Sequence, residues 1–600
     1  MRLSLFKILF LSLCVIQLST AQSYITYDVS FNNAAQHEAE ITVSFTKIKA
    51  GKFSFRMSRT SPGRYAIHEF AKNVYNVKAV NSKGETLKIT RPNPYQWDVE
   101  KHDGTVKVSY TLFANHGDGT YAQIDETHAH LNIPATFMYA PSLASTPIQV
   151  TFNPRKDWKI ATQLKKMFNN TYYAPDLQYF MDSPTELSNH QVRSFTVDAN
   201  DKTYTINLAL HHNGTEAELD AYFEQVKAVV LQEKAVYGAL PDYDYGAYTF
   251  LACYVPNASG DGMEHRNSTV VTSTRSLADG GMRQNIGTIS HEYFHSWNVE
   301  RIRPKSLEPF NFEEANMSGE LWFAEGFTSY YTNLILCRAG IISPEEYIAS
   351  LGGTFNYVWN SPGRSFFNPI EMSYQAPFVD AATSVDPVNR ENTFISYYSY
   401  GSVLGLALDL SLRNEKGNLS LDGYMQAVWK AYGKNEKPYT VEDLNKALNS
   451  YAGKLFGDHF FDNYIYKSAM PNYAALFKSV GLVLKQDSEK VFFGVNTNKG
   501  LVRGNAQIGS PAYKAGLNAG DQIVAIDAHF VDASNSVATI LSGYKVGDVV
   551  NIQYSRFNEL RTVKTTLIKD PRYSIQSFEK AGEKPTEAMV KNRKSWLEKK

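Results

Sequence analysis

His291 and His295 stand one helical turn apart with Glu292 beside the first, and of all the residues in the chain these three are best suited to chemistry. At i and i+4 both imidazoles share one helix face and reach a single ion. Glu292 is placed to take a proton from a metal-bound water. With this composition, His-Glu-x-x-His arises by chance somewhere in the chain at about the 2% level. Ile289 and Phe294 make the segment partly apolar, so it reads as a core helix with a polar insertion, and buried polar groups need partners such as a metal. A catalytic zinc takes three protein ligands and leaves one position open. Two glutamates compete for the third place: Glu314 follows His295 after 18 residues and Glu325 after 29. The shorter interval is the commoner one in such sites, but Glu314 lies in the polar stretch Asn311-Phe312-Glu313-Glu314-Ala315-Asn316, which reads as a surface loop. Glu325 lies in the apolar run from Leu321 to Tyr331, where a carboxylate is costly unless it binds a cation. That cost favours Glu325. Ser329, one turn on, is positioned to hydrogen-bond a ligand.

These residues need helices to hold them. Met282–Ile302, ended by Pro304, and Leu321–Ala339, ended by Gly340, are predicted to supply them. Upstream, Thr215 and Glu218 form a capping box ahead of Leu219, Tyr222, Phe223, Val226 and Val230 at helical spacing, and Thr249–Val255 reads as a buried strand. From Ser402 to about Leu484 the pattern is again helical. From Tyr24 to about Val197 it alternates, as in Ile41–Phe45, Lys52–Phe55 and Val106–Tyr110, which argues for a β-sandwich. Short β-runs return between about Lys490 and Asp570. The tail from Ser574 is polar and reads as a solvated helix or a disordered segment.

Composition narrows the class. At 600 residues with 43% hydrophobic content, the chain is too apolar for disorder and long enough for several domains. Sixty basic residues balance sixty acidic ones, which counts against a nucleic-acid binder. Three cysteines exclude a disulfide framework and any Cys-rich zinc module. Met1–Ala21 reads as a signal peptide: Arg2 and Lys7, the apolar run Ile8–Ile16, then Ser19-Thr20-Ala21. The run is too short for a membrane span of about 20 residues, and no other stretch approaches that length. Leu13 disfavours a lipoprotein reading centred on Cys14. A secreted or periplasmic location and cleavage after Ala21 are therefore expected. Cys253 and Cys337 then remain, and two buried thiols are expected rather than a bridge.

The stretch His-Glu-Tyr-Phe-His-Ser-Trp-Asn-Val-Glu-Arg-Ile-Arg-Pro from His291 to Pro304, with Leu321–Tyr331 behind it, resembles the glycyl aminopeptidase family of gluzincin zinc metallopeptidases. Ser61-Pro62-Gly63-Arg64-Tyr65 and His68–Val74 resemble that family's N-terminal β-domain. Gly262-Met263-Glu264-His265 resembles its substrate-edge strand. Ser510-Pro511-Ala512, Ala515-Gly516-Leu517 and Gly520–Ile523 resemble its C-terminal PDZ domain. The resemblance implies a multidomain α+β chain: an all-β sandwich over 22–200, a thermolysin-like (zincin) α/β catalytic domain with a helical C-terminal part over 201–485, a PDZ domain over 486–572 and a tail over 573–600. It implies one Zn2+ per chain held by His291, His295 and Glu325, with Glu292 as general base. Gly262, Met263, Glu264 and His265 would bind substrate, Glu264 taking the free α-amino group of a peptide. His265 stands where the larger alanyl aminopeptidase family has Asn. Tyr398 is implied as oxyanion donor, with Tyr397 as its rival; Tyr400 occupies a position usually basic. Phe493-Gly494-Val495 is implied as the PDZ loop for a peptide C-terminus. The expected activity is removal of N-terminal Gly or Ala. Two alternatives stand beside it: a PDZ-guided endopeptidase and an inactive peptide-binding protein.

Overall fold

The computed structural model describes residues 24–278, 280–379, 388–486 and 489–600, so the expected signal peptide Met1–Ala21 lies outside the described residues. Ala39, Ile41, Val43 and Phe45 turn inward along strand Glu38–Thr46, and Val106, Val108, Tyr110 and Leu112 match them on the antiparallel partner Thr105–Phe113. This period of two buries one face of a seven-stranded sheet that also holds Ile25–Ser30, paired parallel with Ile148–Asn153. A four-stranded sheet (Lys159–Thr162, Thr185–Ser188, His128–Leu131, Gln123–Ile124) and a three-stranded one complete the N-terminal β-domain. Phe45, Phe53, Phe55 and Trp97 pack ring on ring in its core.

The catalytic domain opens on a five-stranded sheet in the order Gln191–Ala199, Lys202–His212, Ala247–Tyr254, Ser268–Ser273, Asp261–His265. Gln191–Ala199, expected in the N-terminal unit, is thus an edge strand of this sheet. Asn200 and Asp201, at φ 55 and 59, make the tight turn that pairs it with Lys202–His212, so the boundary moves from 200 to near 190. Alternation identifies a strand; the turn chooses its sheet. Helix Glu216–Tyr237 carries the expected capping box and buries Leu219, Tyr222, Val226 and Val230. The expected helix Met282–Ile302 ends early: the observed one is Gly281–Phe294, and the chain reverses through Val299 at φ 121. The expected helix Leu321–Ala339 is divided at Glu325 into Leu321–Ala324 and Gly326–Arg338, although backbone bonds Glu325 N to Leu321 O and Ser329 N to Glu325 O run through the junction. Helices Tyr397–Asn414, Leu421–Ala431 and Val441–Ala452 follow.

The last third departs from expectation at its end. Tyr573–Ser577 pairs with Leu482–Gln486, and helix Glu587–Leu597 docks on the catalytic domain. Trp596 is fully buried there, its Nε1 donating to the Tyr330 hydroxyl at 2.9 Å. The tail is therefore an anchored helix; Trp596 and Leu597 are too few to mark an apolar face in so polar a stretch. Between these elements lies the PDZ unit, a sheet in the order Asn496–Asn498, Leu501–Arg503, Gln522–Ile526, Val549–Arg556, Glu559–Thr566 with helices Pro511–Lys514 and Val537–Leu541. It rests on the catalytic domain through Asn392, which donates to Ala506 O at 2.9 Å and accepts from Ile508 N at 2.8 Å. Among the described residues no helix is long and apolar enough to cross a membrane.

Candidate metal centre

The early end of helix Gly281–Phe294 is what orients its second histidine. His295 sits at the C-cap, and its Nδ1 donates to the carbonyl of Asn298 at 2.6 Å. The Asn298 amide in turn donates to Phe323 O, Ala324 O and Thr328 Oγ1 at 3.1, 2.9 and 3.1 Å, tying this turn to the segment that carries Glu325. His291 Nδ1 lies 3.2 Å from Thr332 Oγ1, whose hydroxyl already donates to Thr328 O, so the ring is the donor. Thr332 makes the contact expected of Ser329.

With both Nδ1 atoms protonated, neutral rings carry lone pairs at Nε2. The two Nε2 atoms are 3.2 Å apart, and they lie 3.6 and 3.2 Å from Glu325 Oε2. Three such atoms converging on one point repel unless a metal ion, or a proton on His295, sits among them; burial opposes that proton, but Glu325 and Glu264 push His295 up to about 10. A tetrahedral zinc shell with bonds of about 2.0–2.1 Å separates its donors by roughly 3.3–3.4 Å. The residues present fit zinc. Glu314, the rival, is exposed in its loop.

The other oxygen of Glu325 faces the N-terminal domain. Tyr65 donates its hydroxyl to Glu325 Oε1 at 2.6 Å. Its neighbour Arg64 pairs with Asp261, at the start of edge strand Asp261–His265, and donates to Gly262 O at 3.4 Å. Gly63, at φ 75, lies so close that a Cβ would overlap Met263. The loop from Ser61 to Tyr65 thus both braces the Glu325 carboxylate and clamps the edge strand. Its sequence marked a domain, with no sign of a part in the site.

On that strand Glu264 turns toward the centre. Its carboxylate, that of Glu292 and a ring nitrogen of His295 lie within 4.8 Å of one another. Gly262 permits this, since a Cβ there would overlap the Glu292 carboxylate. Met263 and His265 occupy the alternate positions: Met263 packs on Leu251 and Val270, and His265 Nδ1 lies 2.8 Å from Asp182. Glu264, Glu292 and Glu325 are only 7, 6 and 2% exposed, and their charges are sorted by their neighbours. Burial opposes ionisation of Glu325, but His295 and His291 hold its carboxyl well below the usual range. Burial, helped by Glu264 and Glu325, pushes Glu292 well above it despite His295. Burial and Glu325 also raise Glu264. A carboxylate of raised pKa beside a cation site is suited to carrying a proton.

Tyr397 and Tyr398 enter from the first turn of helix Tyr397–Asn414. The half-buried Tyr398 ring is 5.9 Å from the His291 ring, while the buried Tyr397 ring stacks on Tyr398 at 4.8 Å and meets Tyr65 at 6.0 Å. Tyr398 is the one whose ring lies near that of His291. The helix comes this near because Gly401 crosses at Gly326; a Cβ on Gly401 would overlap the carbonyl of Trp322. In the PDZ unit, Phe493 is buried in the core, Gly494 sits at φ 91 with its carbonyl accepting from Gln507 N, and Val495 leads into edge strand Asn496–Asn498.

The Peptidase M61 N-terminal domain matches residues 26–189, the M61 glycyl aminopeptidase domain residues 284–404, and a PDZ domain residues 493–567. The crystal structure of an aminopeptidase N family protein from Idiomarina loihiensis superposes with a TM-score of 0.82 at 24% identity, covering 96% of this chain and 100% of that one. An M1 zinc metallopeptidase from Deinococcus radiodurans gives a TM-score of 0.42 at 11% identity over 75% of this chain and 95% of that one. Serine protease Do-like HtrB of Bacillus subtilis is 34% identical over 90 residues, 15% of this chain; the match spans about one fifth (20%) of that curated relative. Fold and His-His-Glu centre together define a zinc metallopeptidase. Within that class the chain resembles the M61 glycyl aminopeptidase family, whose N-terminal and catalytic domain models match its two large units.

Proposed function

We propose that the chain is a secreted or periplasmic aminopeptidase that removes small N-terminal residues, glycine or alanine, from peptides. The observation that carries this reading is Glu264, a buried carboxylate within 4.8 Å of Glu292 and His295. An exopeptidase needs a fixed negative group one residue's length from the scissile carbonyl to hold the substrate ammonium, and an endopeptidase does not. His291, His295 and Glu325 hold one zinc, which when bound polarises a carbonyl and acidifies water. Glu292 accepts the proton of the attacking water on its carboxylate and returns it to the departing amine. Tyr398 donates its hydroxyl to the oxyanion. The signal-peptide reading of Met1–Ala21 supports export, and Phe493-Gly494-Val495 beside an open edge strand supports capture of a peptide C-terminus by strand addition.

Paired peptides with free and N-acetylated Gly, Ala or Leu test the reading. Acetylation should abolish cleavage; unimpaired cleavage of the blocked peptides means an endopeptidase. Glu292→Gln should lose roughly 10²–10⁴-fold in kcat while keeping its zinc. A variant as fast as wild type would mean that Glu292 is not the base.

A further inference from the structure

A second cluster of metal-ligand type lies between the two large domains. His128 comes from strand His128–Leu131 and Glu186 from the neighbouring strand Thr185–Ser188, both of the N-terminal domain. His211 and Cys253 are direct partners across the parallel strands Lys202–His212 and Ala247–Tyr254 of the catalytic sheet. All four are buried, and one ligand atom from each lies within 4.8 Å of every other. The separations are Cys253 Sγ to His128 Nδ1 3.6 Å and to His211 Nδ1 3.4 Å, and Glu186 Oε1 to the same nitrogens 3.3 and 3.8 Å. A tetrahedral shell with bonds of about 2.0 Å to N or O and 2.3 Å to S spaces its donors roughly 3.3–3.8 Å apart. These four separations have that spacing, the other two pairs lie within 4.8 Å, and the His291–His295–Glu325 centre, at 3.2–3.6 Å, is similar.

Proton bookkeeping points the same way. Gln123 Nε2 donates to Asn257 O at 2.9 Å, so its Oε1 is the acceptor for His128 Nε2, 3.1 Å away. A neutral His128 then carries a lone pair at Nδ1, aimed at the Glu186 carboxylate and the Cys253 sulfur. Glu186 is 1% exposed, and its second oxygen is faced by His130 Nδ1 at 3.5 Å. Burying a carboxylate with no cation is costly. One carboxylate, one thiolate and two neutral imidazoles balance a divalent cation and leave the site uncharged; the thiol proton goes to solvent. Cys253 is 3% exposed, which leaves no approach for a substrate and excludes a thiol nucleophile.

We propose that His128, Glu186, His211 and Cys253 bind a second zinc, closed and structural, that staples the N-terminal β-domain to the catalytic sheet. It forms only when the domains meet, since each contributes two ligands, so the metal's binding energy stabilises their docking. Mixed thiolate, imidazole and carboxylate donors in a closed tetrahedral set select zinc.

The full chain, dialysed against zinc in reducing buffer and freed of loosely held metal, should hold two zinc ions by mass spectrometry. X-ray absorption should show a Zn–S distance of about 2.3 Å at half a sulfur per zinc. The His-His-Glu centre has no sulfur, so this shell reports the second site alone. Cys253→Ser should halve the zinc and erase the sulfur shell. Glu325→Ala should also halve the zinc but double the sulfur to one per ion. One zinc per chain with only nitrogen and oxygen neighbours overturns the proposal, as does a sulfur shell that survives Cys253→Ser. If Cys253→Ser does not fold, the sulfur shell of wild type and of Glu325→Ala decides.

Discussion

The Tyr65 hydroxyl donates to Glu325 Oε1 at 2.6 Å across 260 residues of chain. The N-terminal domain therefore reaches the candidate metal centre directly. Burial, with Glu325 and Glu264 nearby, raises the phenol far above its ordinary value, so it remains a donor at any working pH. Tyr65→Phe should keep the fold and weaken zinc binding and kcat/KM by roughly 10- to 100-fold. Chelator competition and peptidase assays on the same preparation check it. Unchanged affinity would reduce the contact to packing.

Glu264→Gln should raise KM for free-amine peptides and lower kcat/KM roughly ten- to a hundredfold, the worth of a charge-assisted hydrogen bond at about 1.5–3 kcal/mol. Zinc content should not change. Equal loss on N-acetylated peptides would point to general damage, not amine recognition.

Two glycines on different helices should respond oppositely to alanine. At Gly401 a Cβ overlaps the Trp322 backbone, so Gly401→Ala should cost about 1–3 kcal/mol and reduce activity by moving Tyr397 and Tyr398. At Gly287, within the helix that carries His291, a Cβ meets nothing within 4 Å, so Gly287→Ala should gain about 0.5–1 kcal/mol. Thermal unfolding of both variants measures the contrast.

Arg338, 2% exposed, pairs with Asp422 at 3.1 Å and donates to Trp596 O at 3.1 Å. Asp422→Ala should cost about 3–5 kcal/mol by leaving a buried guanidinium without its carboxylate. Limited proteolysis should then release helix Glu587–Leu597. Burial works against ionisation of Asp422, yet Arg338 and Arg413 hold its carboxyl below the usual value. A depressed carboxyl contributes fully above its unfolded pKa of about 3.9, and the contribution fades as pH falls through the lower folded value. Stability curves in acid should show that loss in wild type and not in Asp422→Ala.

Much of the centre was legible in chain order. His291, Glu292 and His295 share one helix, and a carboxylate in the run Leu321–Tyr331 announced its own cost, which is why Glu325 stood out against Glu314. Gly262 and Gly401 lay in recognisable stretches, though their reason, a close approach by Glu292 and by Trp322, appears only when the elements pack. Other features left no local signal. Thr332 rather than Ser329 meets His291, because the rotation of one helix against another selects between them. Gln191–Ala199 alternates like the strands before it, and only its turn assigns it to the catalytic sheet. The polar tail hid a docking helix behind two apolar residues.

The division follows from distance along the chain. The pitch of a helix fixes how residues four apart share a face, so the juxtaposition of His291, Glu292 and His295 is a fact of local sequence. Tyr65 reaching Glu325, and His128 and Glu186 meeting His211 and Cys253, depend on how separate sheets pack. Contacts of that kind are settled by the burial of whole surfaces, which no interval between residues records.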